Sequence, residues 1–164
     1  MHKTSKYLLV IVVILGFIGC DQQTKSLARQ ELEFSGPAQY LGGFIRFQLA
    51  ENEGGFLSIG ANLPVSLRKS ITILLGIITL AGFGALLTTL HKLTVPALVS
   101  FSLIIAGASG NLIDRFFHHG RVIDFIIVGT QTLHTGIFNI ADMLLMAGMC
   151  MVLIERLFYS KSTS

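Results

Sequence analysis

Residues 70 to 90 form a run of 21 residues without a charge, closed by Arg68 and Lys69 on one side and His91 and Lys92 on the other. At about 1.5 Å of rise per residue, a helix of that length crosses a hydrocarbon layer of about 30 Å. Residues 93 to 113 form a second charge-free run, with Pro96 in its first turn, where a missing amide costs least. Residues 137 to 156 form a third, apolar except for Asn139 and Asp142 until it reaches Glu155 and Arg156. The first run, Tyr7 to Cys20, has only 14 residues, a length shared by signal-peptide cores and short membrane helices. It follows a basic start (His2, Lys3, Lys6) and ends in "FIGC", the form of a lipoprotein cleavage site. Three later spans favour an attached helix over a cleaved leader, and place a first span at about 6–26 with Cys20 buried in it.

The predicted fold is therefore a membrane α-helical protein of four transmembrane helices, with spans at about 6–26, 70–90, 93–113 and 137–156. The outer segment at about 27–67 has Gly36-Pro37, Gly42-Gly43 and Gly54-Gly55 around the imperfectly alternating "FIRFQLA", which predicts a small β-rich cap. A second outer loop covers about 114–136. Lys3, Lys6, Lys92, Arg156 and Lys161 all fall inside if both termini are cytoplasmic, the orientation the basic residues favour.

Composition agrees with this picture. The 164 residues are 52% hydrophobic with a mean hydropathy of +0.71. Only 13% are charged, against about 25% in a soluble domain. No linker-like stretch or charge block divides the chain, so residues 1–164 read as one domain. The net charge of +3 is small, tryptophan is absent and basic residues are scattered, which argues against a nucleic-acid partner. Two isolated cysteines, Cys20 and Cys150, offer neither a disulfide framework nor a metal site.

The chemistry sits in the acids. Asp142 lies 14 residues from Arg156, about 21 Å along a helix and still within the bilayer. Asp21, 15 residues from Lys6, reaches a similar depth at about 22 Å. A charged Asp at mid-helix costs about 2.5–3.5 kcal/mol on insertion scales, so such acids face a polar cavity or a partner. Asp114, counted from Lys92, reaches about 33 Å and is expected near the outer surface with Arg115 beside it. Asp124 stands alone in "RVIDFIIVG", a segment that must return toward the last helix, so depth favours it over Asp114 as the partner of Asp142. Two carboxyls held about 3 Å apart cannot both ionise, and a pair sharing one proton can activate water against an amide bond. Asn139, one helical turn from Asp142, could orient the pair or hold a substrate carbonyl. The pattern N-x-x-D occurs twice, at Asn111/Asp114 and Asn139/Asp142.

Three alternatives carry less. Gly107 to Gly110 matches the G-x-S-G of intramembrane serine proteases, but all five histidines fall at ends or in loops, and small residues at that place favour close helix packing. His118-His119 point apart in regular structure and have no spaced acidic third ligand, so they read as a solvated pair. A four-helix transporter or assembly factor would also bury polar side chains, but neither inverted repeats nor broken helices are evident.

Five ordered blocks resemble lipoprotein signal peptidase, the signal peptidase II family: "DQQTK" (Asp21 to Lys25), "NEGGF" (Asn52 to Phe56), "GNLIDR" (Gly110 to Arg115), "VIDF" (Val122 to Phe125) and "FNIAD" (Phe138 to Asp142). The resemblance implies a multi-pass protein of the bacterial inner membrane with a periplasmic cap and its active site toward the periplasm. It implies an aspartic endopeptidase that removes signal peptides from prolipoproteins by cutting before a diacylglyceryl-modified cysteine. It needs no cofactor, meets membrane lipids and acts as a monomer. The family's catalytic acids map onto Asp124 and Asp142, and its supporting residues onto Asp21, Lys25, Asn52, Gly54, Asn111, Asp114, Arg115 and Asn139. Met143 after the final A-D and Phe56 directly after Gly55 depart from the small residues common there.

Overall fold

The computed structural model describes residues 2–53, 63–89 and 91–160. Helix α1 runs Lys3–Ser35 and ends at Gly36, whose positive φ of 72° and N–H bond to the Leu32 carbonyl close its last turn before Pro37. A helix of 33 residues is about 50 Å long, well beyond a hydrocarbon layer. The expected span at 6–26 is thus only the N-terminal part of α1, and the strands start after Gly36 rather than at residue 27. Between Lys25 and Ser35 the sequence holds helix formers and no glycine or proline, so nothing stops the helix there.

Helix α2 (Val65–Thr89), helix α3 (Val95–Phe117) and helix α4 (Ile140–Ser160) follow. The Thr94 hydroxyl caps α3 by accepting the Ala97 N–H at 3.2 Å. Among the described residues, α1, α3 and the stretch Ser66–Leu86 are long and apolar enough to cross a membrane. Three strands form one antiparallel sheet in the order β1 (Ala38–Tyr40), β2 (Ile45–Asn52), β3 (Val122–Val128). The cap therefore draws its third strand from the segment expected to be an outer loop. "VIDFIIV" is an apolar run of strand length, and it finds its partner in β2, some seventy residues earlier.

Helix α3 is the centre of the helical layer, packing against α4, α1 and α2. Toward the end of the bundle away from the sheet, Val10 and Ile14 of α1 meet Leu86 of α2 and Leu98 and Ile105 of α3. Leu103 and Ala106 of α3 meet Leu144 of α4. Close approach of α3 and α4 needs glycine: a Cβ at Gly107 would sit 2.9 Å from Leu145 Cγ, and one at Gly148 2.7 Å from Ile104 Cγ1. The small residues of the G-x-S-G match therefore serve packing, as expected. Leu8, Val12 and Leu15 of α1 and Ile73, Ile77 and Leu80 of α2 are exposed apolar side chains on the remaining faces of these helices. Cys20 lies on such a face and is exposed rather than buried, because the buried side of α1 at that level is occupied by Asp21 and Lys25.

The Lys6 ammonium donates to the Leu93 carbonyl at 2.6 Å, and the Thr94 hydroxyl donates to Glu155 of α4. The start of α1, the turn between α2 and α3, and the end of α4 thus meet at one end of the bundle.

Candidate active site

The second N-x-x-D is the start of α4. Asn139 precedes the helix and its side-chain oxygen accepts the Asp142 N–H at 2.9 Å, while the Asp142 carboxylate reaches back to the Asn139 N–H at 3.4 Å. This reciprocal cap satisfies two amides that a helix start otherwise leaves bare. Each residue therefore has a local reason for its place. The first N-x-x-D, Asn111 and Asp114, lies inside α3 and faces its neighbours instead.

Asp124 is brought to this helix start by the chain on either side of it. Phe138 bridges β3, donating to the Ile126 carbonyl at 3.0 Å and accepting the Ile126 N–H at 2.9 Å. The residue before Asn139 is thereby fixed two places along the strand from Asp124. The Asn139 amide donates to Asp124 Oδ1 at 2.6 Å, and the Asn52 amide from β2 donates to Asp124 Oδ2 at 2.8 Å. Asp142 accepts the Asn111 amide at 2.9 Å, and Asn139 donates to Asn111 Oδ1 at 3.1 Å. Two acids from different elements are thus joined through a pair of asparagine amides. Both are buried, at 1% and 4% exposure. Burial pushes the Asp124 carboxyl up to about 6, the Asp142 charge pushes the same way, and the Asn52 and Asn139 hydrogen bonds and the Lys25 charge oppose it.

Around the acids lies a buried charge cluster. The Lys25 ammonium, 1% exposed, sits 2.8 Å from both Asp21 and Asp114 and donates to Asn111 Oδ1 at 3.1 Å. Asp21 accepts the Ala141 N–H of α4 at 2.9 Å, and Asp114 accepts the Ile123 N–H of β3 at 3.1 Å. The similar depth expected for Asp21 and Asp142 is observed. Asp114 is fully buried, and it forms an ion pair with Lys25 as well as lying within electrostatic reach of Arg115. Rise along α3 alone does not reveal that α1 and the sheet cover Asp114, through Lys25 and the Ile123 N–H. Arg115 donates to the Asn111 carbonyl at 3.2 Å and lies within electrostatic reach of Asp142, Asp124 and Asp114.

Of the ten expected site residues, nine gather here, and Gly54 lies outside the described residues. Gln22 was not singled out, yet its amide donates to Asp114 at 3.0 Å and to the Gly110 carbonyl at 3.3 Å. Its place beside Asp21 in "DQQTK" was the available signal. No group of three or more potential metal ligands occurs among the described residues.

Residues 12–158 match the family model for signal peptidase (SPase) II. The chain belongs to the signal peptidase II family. Among curated relatives of this signal peptidase II chain, the lipoprotein signal peptidase of Acinetobacter baumannii is 34% identical over 154 residues, covering 94% of this chain and 83% of the relative. That of Geobacter sulfurreducens is 30% identical and covers 92% of each. A bacterial membrane enzyme solved by the in meso method at 2.3 Å superposes with a TM-score of 0.77 at 26% identity, over 95% of this chain and 92% of that one. A second such structure, at 1.9 Å, gives 0.71 at 28% identity over 91% and 92%. Membership of a peptidase family displaces the transporter and assembly-factor alternative.

Proposed function

We propose that Asp124 and Asp142 are the catalytic pair of an aspartic-type endopeptidase acting on prolipoproteins. The observation that carries this is the joining of two buried carboxylates, from β3 and from the start of α4, by asparagine amide donors. One acid takes a proton from water as the water attacks the scissile carbonyl. The other, protonated, donates to the carbonyl oxygen; as the C–N bond breaks, the first acid passes the proton taken from water to the leaving amine and the second takes a proton back from the gem-diol hydroxyl, which restores the pair. Asn52, Asn139 and Asn111 hold the two carboxyls, and the Lys25 cluster with Asp21, Asp114 and Arg115 holds the elements that carry them. Gly54, next along the chain from Glu53, is assigned a supporting role from the motif alone. The whole chain, residues 1–164, acts as one domain and as a monomer, without a cofactor.

The four helices all span the membrane in this proposal, with both termini cytoplasmic and the sheet on the periplasmic side of the bacterial inner membrane. Lys6, Lys92 and Arg156 then share the positive-inside face. The substrate is cut before a diacylglyceryl-modified cysteine, its acyl chains remaining among the membrane lipids around the helices while the scissile bond reaches the acids.

The test is cleavage of a diacylglyceryl-modified precursor, read as a gel shift, by wild type and by Asp124→Asn, Asp142→Asn and Asp114→Asn at equal amounts of folded protein. Loss of turnover in the first two, at least a thousandfold, supports the pair. Residual turnover in Asp124→Asn near that of wild type removes Asp124 from the chemistry. Equal cutting of lipidated and non-lipidated precursor removes the lipid from substrate selection.

A further inference from the structure

Strand β2 ends in Glu51 and Asn52, and Glu53 follows directly. Side chains alternate across a strand, so Asn52 faces Asp124 while the two glutamates share the opposite face. On that face a single guanidinium meets both: Arg121 NH1 lies 2.6 Å from Glu51 Oε2 and Arg121 Nε lies 3.2 Å from Glu53 Oε1. Arg29 of α1 holds the other oxygen of Glu51 at 3.2 Å, and Arg68 of α2 pairs with Glu53.

The place of this fork in the sheet gives it a consequence for the acids. The β2–β3 ladder is irregular between Phe47 and Ala50, and beyond that break only three pairs remain: Ala50 with Asp124, Glu51 with Ile123, and Asn52 with Val122. A slip of one residue in this short end would turn Asn52 to the outer face and take its amide off Asp124. Arg121 immediately precedes β3 and holds the two residues that flank Asn52, so its fork resists that slip from both sides.

We infer that Arg121 is a positioning residue for the peptidase reaction, fixing the register at the end of the β2–β3 ladder so that the Asn52 amide stays on the Asp124 carboxylate. The inference rests on the assignment of Asp124 as one of the two acids. Half-exposed ion pairs of this kind contribute little to stability. A purely structural Arg121 would therefore leave the pH profile and kcat alone.

The experiment compares kcat, KM and the pH profile of wild type, Arg121→Gln, Arg121→Lys and Arg29→Gln on a lipidated precursor. Arg121→Gln is expected to lower kcat about tenfold with KM changed less than about twofold, because a displaced carboxylate is lost to the chemistry more than to binding. Its acid limb should move to higher pH, since Asn52 hydrogen bonding favours the ionised Asp124. The other groups facing Asp124 are Asn139, Asp142, Lys25 and Arg115, and all are retained. Arg121→Lys keeps the charge without the fork and should recover part of kcat. Arg29→Gln leaves the fork intact and should stay within about twofold of wild type. If Arg121→Gln does not fold, the double variant Glu51→Gln/Glu53→Gln removes the same fork from the other side and is expected to show the same kcat loss and limb shift. A folded fork-less variant with wild-type kcat and an unmoved acid limb overturns the inference. Asp124→Asn, run alongside, separates the two failures: full turnover there overturns the catalytic assignment, whereas an inactive Asp124→Asn beside an unaffected Arg121→Gln overturns only the role of Arg121.

Discussion

The Asp21 carboxylate on α1 accepts the Ala141 N–H at the start of α4, 2.9 Å away and 120 residues later in sequence. The same carboxylate pairs with Lys25, which pairs with Asp114, which accepts the Ile123 N–H one residue before Asp124. A continuous chain of buried polar contacts therefore runs from the helix that carries Asp142 to the strand that carries Asp124. Its weakest point is its only cation.

Removing Lys25 leaves two buried carboxylates that have lost the cation 2.8 Å from both. Lys25→Met is expected to destabilise the protein by about 3–5 kcal/mol, because one partner of a buried pair is removed and the other remains. Adding Asp21→Asn and Asp114→Asn to Lys25→Met should recover part of that loss without restoring activity. Thermal unfolding in detergent measures both. An unchanged midpoint in Lys25→Met would mean that the acids are compensated elsewhere.

Asn139 has two separable duties. Its oxygen caps α4, and its amide holds Asp124 and Asn111. Asn139→Ser keeps a capping oxygen and loses the amide donor, whereas Asn139→Ala loses both. Both variants should lose turnover by about a hundredfold through misplaced acids. Only Asn139→Ala should also lose about 1 kcal/mol of stability. Equal stability of the two variants would mean that the cap contributes nothing, and high turnover in Asn139→Ser would mean that the amide does not position Asp124.

What the sequence made legible followed from one-dimensional counting. Charge-free runs located the helices, and the acids singled out along the chain, Asp124 and Asp142, lie together in one buried polar cluster. Counting failed where a residue's surroundings come from another element. Rise along α3 placed Asp114 without showing that Lys25 of α1 and Ile123 of β3 enclose it, and Cys20 looked buried because a single apolar run does not reveal which of its faces packs against other elements. Strand β3 looked like a loop because its pairing partner is distant in sequence. Arg121 drew no attention, since its meaning depends on an alternation in β2 that becomes visible only with the register.

The helix contacts make a graded series of glycine substitutions informative. A Cβ on Gly110 would stand 2.5 Å from Asp21 Oδ2 and 3.3 Å from the Ala141 side chain, whereas one on Gly82 meets nothing within 4 Å. Gly110→Ala should therefore displace Asp21 from Ala141, destabilise by about 1–3 kcal/mol as overpacking does, and lower turnover with it. Gly82→Ala should be neutral or stabilise by up to about 1 kcal/mol through helix propensity. Precursor cleavage and thermal unfolding on the pair decide the matter: Gly110→Ala behaving like Gly82→Ala would contradict the close approach of α1, α3 and α4.

The carboxyl of Asp124 sits at about 6 in the folded protein, raised first by burial and then by the Asp142 charge. In an unfolded chain an aspartate titrates near 4. The folded state therefore holds this proton more tightly, and stability falls as pH rises from about 4 to about 6, remaining lower above that window. Asp124→Asn cannot lose a proton and escapes the penalty. Relative to wild type, the variant should be close to equal at pH 4 and gain up to about 2–3 kcal/mol by pH 8, measured as the difference in unfolding midpoints across that range. A difference that does not vary with pH would show that the carboxyl is not held protonated by its surroundings. A gain in stability together with loss of cleavage would identify the burial of Asp124 as a cost the fold carries for its chemistry, because the environment that destabilises the ionised carboxylate also keeps a proton available between the two acids.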